Sequence, residues 1–331
     1  MFTKEMSIEN INNYLPQKFS FICFVSFEKR CLNIPLQIQF PEDSYVYLIR
    51  NIDEDILDYN EKNFFAMKDY CSRSKEVTIS IQKSLSISQG IFNILNEIIQ
   101  NDIDSIIVDI STFTREALLI LINQIYAYKD KFCNVIFLYN IVEKYFNEDL
   151  PSKMWLSKGC KDVRNVIGYA GKIIPDKELY LVLLTGYEIE RATRLIDILE
   201  PDRLVMGNSN EPINEIHDKA MCYINKKFLD WEKNLLFIPN ETFDFSCKDL
   251  CKTVNILKKI TKSQKNSYII APLNSKISTI AVSIVALLNR NIQVCYSIPE
   301  IYNLKGNSTL SNHLIFIDVL KMFEKCMGIF K

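Results

Sequence analysis

At 331 residues the chain is longer than one ordinary hydrophobic core serves and long enough for two domains. Lys and Arg number 39 against 40 Asp and Glu, and the net charge of -1 excludes a surface that coats a polyanion throughout, so any phosphate-binding site is local. Hydrophobic residues at 48% and charged residues at 24% describe a chain that folds throughout, while 8 Gly and 2 His exclude most glycine-cradled phosphate loops and most histidine-based metal or acid–base sites.

The residues up to Gln17 carry Glu5, Glu9 and several Asn, without the basic and apolar blocks of a signal peptide. Strands are predicted over Phe19–Phe27, Tyr45–Arg50, Glu76–Ile81, Ser105–Ile110 and Asn134–Tyr139, separated by segments with helical spacing such as Ile91, Leu95, Ile98 and Ile99. Five such strands alternating with helices make one doubly wound unit, residues 1–140. Residues 141–177 read as a linker or insertion that holds Gly159, Gly168 and Gly171 with Trp155 and Pro175. Within it, Val163–Ile174 reads as a hairpin or as a reach across to the other unit.

The rhythm restarts over residues 178–303. Strands are expected at Leu179–Leu184, Leu204–Met206, Leu235–Ile238, Tyr268–Ala271 and Ile292–Tyr296. The most apolar run, Ile277–Leu288, falls well short of the ~20 residues a membrane span needs and reads as a buried helix. In the tail, residues 304–331, Leu314, Ile317, Leu320, Met322 and Phe323 are spaced for a closing helix that docks on the second unit or on a partner chain. The predicted fold class is α/β: two tandem doubly wound Rossmann-like units with largely parallel sheets, a linker insertion and a C-terminal helix. Ten scattered cysteines, with no leader and no span, point to reduced thiols in the cytoplasm and no membrane. Cys247 and Cys251 have no second pair nearby, so no metal is expected.

The two series of strands can be laid over each other at their ends. Strand one runs into Glu28 and Arg30 in the first unit, and into Glu188 and Arg191 in the second. Strand four runs into Asp109-Ile-Ser-Thr-Phe-Thr-Arg115, matched by Ala271-Pro-Leu-Asn-Ser-Lys276. From Glu28 to Arg115 is 87 residues and from Glu188 to Lys276 is 88, so the chain reads as a tandem duplication. In open sheets of this kind ligands bind outside the carboxyl ends of the strands, where the strand order reverses. Ser111, Thr112, Thr114 and Arg115, and their counterparts Asn274, Ser275 and Lys276, each lead into a helix, an arrangement of hydroxyls and a cation that binds anions. Glu28 and Glu188 suit a ribose hydroxyl or a base amino group rather than a phosphate. A bland reading stands beside this one: Glu28 pairs with Arg115 and Glu188 with Lys276 to order the sheet, and Ser111 and Thr112 are helix caps. Ser111 has no evident base, since His217 and His313 lie in unrelated segments. Lys248, Lys252, Lys258, Lys259, Lys262 and Lys265 read as a solvated face, so no strong nucleic-acid surface is expected.

The turn Asp109–Arg115, running into an Ala/Leu-rich helix, resembles the Asp/Asn-x-Thr-Gly-Gly-Thr-Lys turn of CARF domains and of the related SAVED domains. The resemblance covers about seven residues per unit plus the tandem architecture. It implies a sensor of a nucleotide or cyclic oligonucleotide that acts through an effector protein partner in bacterial antiphage defence. It departs at Phe113, where the family has glycine, and the second unit keeps only Asn274-Ser275-Lys276. The residues leave two alternatives open: a nucleotide or nucleoside hydrolase or phosphodiesterase using Glu28 or Glu188, and a ligand-free structural subunit of a larger complex. No cofactor is implied.

Overall fold

The computed structural model describes residues 2–71, 73–145, 155–186, 188–211, 239–304 and 308–328. The predicted strand Leu235–Ile238, together with Tyr187, His217, Cys222 and Trp231, lies outside the described residues. The chain forms two units, Met1–Glu143 with Asn307–Lys331, and Lys144–Gly306.

The first unit runs β1 (Thr3–Ser7), β2 (Ser20–Val25), α1 (Arg30–Asn33), β3 (Val46–Asn51), α2 (Glu54–Tyr70), β4 (Ser74–Ile79), α3 (Ser84–Gln100), β5 (Ser105–Asp109), α4 (Arg115–Ala127) and β6 (Asn134–Tyr145). The second runs β7 (Ser157–Lys158), β8 (Asp162–Asn165), β9 (Leu179–Leu184), α5 (Ile189–Leu199), β10 (Arg203–Glu211), β11 (Glu241–Ser246), α6 (Leu250–Ile260), β12 (Ser267–Pro272), α7 (Lys276–Leu288), β13 (Gln293–Ile298) and β14 (Ile301–Tyr302). The chain then returns to the first unit as β15 (Ser308–Asp318) and α8 (Val319–Met327).

The strand order in the first unit is β1-β15-β6-β5-β2-β3-β4, and in the second β11-β10-β9-β12-β13-β8. Within each, five strands pair in parallel in the order 3-2-1-4-5, the arrangement of a doubly wound Rossmann-like unit. The switch point falls between β2 and β5 in the first unit and between β9 and β12 in the second. Central strands are buried along their whole length and almost wholly apolar because helices cover both faces: every residue of β2 (SFICFV) and of β12 (SYIIAP) is buried. On one face of the first sheet, Phe21, Cys23 and Val25 pack with Cys31 of α1 and with Phe64 and Met67 of α2. The expected apolar helix Ile277–Leu288 is α7, buried almost all round, and the hydroxyl of its Ser283 lies 2.6 Å from that of Tyr169.

Two segments differ from expectation. The stretch Val163–Ile174 is not a hairpin: its first residues belong to β8, which pairs antiparallel with β13 of the same unit, from Cys295↔Asn165 to Ile298↔Asp162, and closes that edge of the second sheet. The tail opens as a strand rather than a helix, pairs antiparallel with β1 from Thr3↔Ile317 to Ser7↔His313, and turns helical only at Val319. Its sheet partners belong to the first unit, not the second. Among the described residues no helix is long and apolar enough to cross a membrane, and nine cysteines are free thiols.

Candidate functional site

The carboxyl ends of β2 and β5 bring together the residues predicted for the first unit. Arg30 opens α1 and is buried. Its guanidinium lies 3.0 Å from the Glu28 carboxylate and donates to the Asn140 carbonyl at 3.5 Å. Glu28 thus pairs within its own turn, with Arg30, where the bland reading had paired it across the sheet with Arg115. Asp109, the last residue of β5, is only 1% exposed. One of its oxygens accepts the Ser111 amide at 2.9 Å, while Oδ2 is buried without a hydrogen-bond partner. Burial pushes the Asp109 carboxyl up to about 6, against the opposing pull of its bonds with Ser111 and of the Arg30 charge.

The hydroxyls of the turn hold the strand ends together. Ser111 accepts the Asn140 amide at 2.9 Å, and Thr112 donates to the Phe24 carbonyl at the end of β2 at 2.6 Å. Thr114 is the cap of α4 and accepts the Ala117 amide at 3.1 Å. Of the four, Arg115 is the one that stands inside the helix, as its first residue, half-buried. Phe113 does not obstruct the turn, since it is 1% exposed and its ring meets that of Phe24 edge-on at 5.6 Å. The Phe113 side chain therefore points into the core.

The second unit repeats the frame with different wiring. Ser275 caps α7 by accepting the Ser278 amide at 3.2 Å, and Lys276 is the first residue of that helix, half-buried. Asn274 donates to the Thr185 carbonyl at 2.5 Å and accepts from the Ser275 amide and the Cys247 thiol at 2.7 and 3.1 Å. Beside it, a Cβ on Gly186 would lie 2.0 Å from the Leu273 carbonyl oxygen, so the ends of β9 and β12 are in backbone contact across the switch point.

Glu188 and Arg191, predicted to face a ligand, lie inside the unit, with side chains 6% and 2% exposed. Their charged groups are 2.9 Å apart. The other Glu188 oxygen accepts the Ser157 hydroxyl at 2.6 Å, and Arg191 donates to the Ser297 hydroxyl at 3.0 Å and to the Ser297 carbonyl. The guanidinium also stacks on Tyr296, 5.2 Å from the ring centre. The segment containing β7 lies over the start of α5: the Gly159 amide donates to Glu190 at 2.8 Å. Glu188 therefore pairs with Arg191, one turn along α5, in place of the Lys276 pairing of the bland reading.

Two participants were not anticipated from the sequence. Asp109 was read only as the start of a motif. Asn140, fully buried, donates at 2.9 Å to the carbonyls of both Ser311 and His313 and accepts from Asn33 at 3.1 Å. An Asn directly after the predicted strand Asn134–Tyr139 is the available signal; its partners lie more than 100 residues away in the chain, beyond the reach of local pattern. Among the described residues no group of three or more His, Cys, Asp or Glu side chains is placed to hold a metal ion.

No family model matches the chain, and no curated protein does. Among solved structures the chain is similar to the complex of leucoanthocyanidin reductase with NADPH from Vitis vinifera, at 11% identity and a TM-score of 0.24, over 94% of this chain and 100% of that one.

Proposed function

We propose that the chain is a nucleotide-binding sensor or regulatory subunit whose ligand bears phosphate, a cyclic oligonucleotide being the form that the CARF and SAVED resemblance implies. It acts through a partner effector, in bacterial antiphage defence. The observation that carries this reading is the repeated placement of a cation, Arg115 or Lys276, as the first residue of the helix that leaves strand four beside the switch point. A helix start supplies partial positive charge and amide donors, and the added cation makes the place favourable to a phosphate. The inward turn of Phe113 supports it further, because the backbone of the turn is not covered by that ring.

Binding is favoured over turnover by the state of the carboxylates. Glu188 is locked against Arg191 inside the unit, and Glu28 is held by Arg30, so neither is poised as a general base. A second reading, a structural subunit without a ligand, draws on the second unit alone, where Asn274 ties the end of β12 to Thr185 and Gly186 lies against Leu273.

The test is calorimetric titration with a panel of mononucleotides, cyclic dinucleotides and cyclic oligoadenylates, using the wild type and the Arg115→Ala, Lys276→Ala double variant. A charge-assisted hydrogen bond contributes about 1.5–3 kcal/mol, so each cation is worth roughly 10- to 100-fold in affinity. Binding by the wild type that weakens at least about 100-fold in the double variant supports the reading. Equal binding by both proteins assigns the ligand elsewhere, and no binding by either favours the structural subunit.

A further inference from the structure

We propose that the exposed face of α6 in the second unit is a docking surface for the phosphodiester backbone of a nucleic acid. Between Lys248 and Lys265 the chain carries six lysines and one carboxylate, Asp249, a charge of +5 over 18 residues; the net charge of -1 therefore leaves the rest of the chain at -6. Lys252, Asn255 and Lys259 follow at helical intervals along α6 and Lys262 continues the line beyond its end, while Leu250, Thr253, Val254 and Leu257 are buried on the opposite side. Lys248, Lys252, Lys259, Lys262 and Lys265 are all exposed, and α6 itself contains no acidic residue.

Helix stability accounts for only part of this stripe. Cations suit the negative end of a helix, which explains Lys258 and Lys259 in the last turn, but Lys248 and Lys252 stand at the opposite end, where a positive charge is unfavourable. That end is offset by Asp249, whose carboxylate accepts the Lys252 amide at 3.0 Å, and by Glu211, which pairs with the Lys252 ammonium. Lys248, Lys259, Lys262 and Lys265 remain as the outward charge.

The chemistry of the face separates two kinds of polyanion. Protein interfaces are depleted of Lys and are built around aromatic, Met and Arg anchors, and along α6 the exposed residues are Lys252, Asn255 and Lys259, with no apolar anchor among them. A phosphodiester backbone needs no such anchor; rows of lysines bind it by displacing condensed counterions. The even charge balance of the whole chain excludes a wide coat and leaves room for a local stripe of this size.

The test is fluorescence anisotropy of a labelled oligothymidylate of about 20 nucleotides, and of a duplex of about the same length, titrated between about 50 and 200 mM salt. The wild type is expected to bind with an affinity that falls as salt rises. Lys248→Glu, Lys259→Glu and Lys262→Glu together should weaken single-strand binding at least about tenfold at the lowest salt. Lys→Gln at the same three positions, which removes charge without adding repulsion, should lower the slope of log affinity against log salt by about 2, since each neutralised phosphate contributes roughly 0.7. Unchanged urea unfolding of the variants shows that the loss is not one of folding. The proposal is overturned if neither nucleic acid binds at the lowest salt, or if both triple variants bind like the wild type. It is equally overturned if poly-L-glutamate competes as well as unlabelled oligonucleotide, which would assign the face to an acidic protein.

Discussion

Arg115 and Lys276 occupy the same position in the two units: each is the first residue of the helix that follows the fourth parallel strand, directly behind a hydroxyl cap, Thr114 or Ser275. The caps fix where each helix begins and hence where its cation stands. Thr114→Ala and Ser275→Ala should each cost about 1 kcal/mol of stability, measured by urea unfolding followed by circular dichroism. Thr114→Ser should restore nearly all of it, because the acceptor oxygen is retained. An alanine variant as stable as the wild type would show that the cap bond contributes nothing.

Asp109 makes the first unit sensitive to pH. Its carboxyl holds a proton up to about 6 in the folded chain, against an ordinary value of 3.8, because burial opposes the charged form. The folded state binds that proton more tightly than the unfolded one, so the stabilising contribution is complete below the ordinary value and is lost as the pH rises through about 6. Above that pH the ionised group is a burden on the order of 3 kcal/mol. Asp109→Asn should therefore gain on the wild type in unfolding free energy between about pH 4.5 and pH 7.5, as read by circular dichroism in urea. A difference that stays constant over this range would contradict the assignment.

Glu188 and Arg191 form a buried pair, and removing one partner leaves the other charge uncompensated. Glu188→Gln or Arg191→Met should destabilise the second unit by about 3–5 kcal/mol, whereas the two together should cost less than the sum of the single changes. Trp155 belongs to the second unit, so its fluorescence during urea unfolding, read in a Trp231→Phe background, reports on that unit. Single variants with unchanged midpoints would mean that the pair is solvated in solution.

Gly186 is required by contact between strand ends. A methyl group there meets the Leu273 carbonyl and not the end of a flexible side chain, so relief requires backbone movement between β9 and β12. Gly186→Ala should destabilise the second unit by about 1–3 kcal/mol, again by tryptophan fluorescence. An unchanged midpoint would show that the two strand ends separate freely.

Much of the sheet architecture was legible because parallel strands buried on both faces leave apolar runs of unmistakable length. Leu179–Leu184 matches its strand at both ends, and Ser105–Ile110 and Tyr45–Arg50 differ from theirs by one residue at most at either end. The tail was not legible: Leu314 and Ile317 are three residues apart, as on a helix, but they lie in a strand whose partner β1 is some 300 residues earlier. The wiring of the site was partly legible. The place of Arg115 and Lys276 follows from the repeat, whereas Glu28 and Glu188 were weighed as partners of cations on strand four and instead pair with Arg30 and Arg191, two and three residues away. Short sequence separation makes such pairs inexpensive in chain entropy, a preference that a comparison of strand ends does not register.

The most direct test of nucleotide binding is native mass spectrometry of the protein purified from its own host, followed by denaturation and identification of any small molecule released. The account predicts a phosphate-bearing nucleotide that accompanies the wild-type chain and is absent from the Arg115→Ala, Lys276→Ala double variant. A nucleotide retained by the double variant, or a wild-type chain that carries no small molecule and is bound only to a second protein, would contradict it.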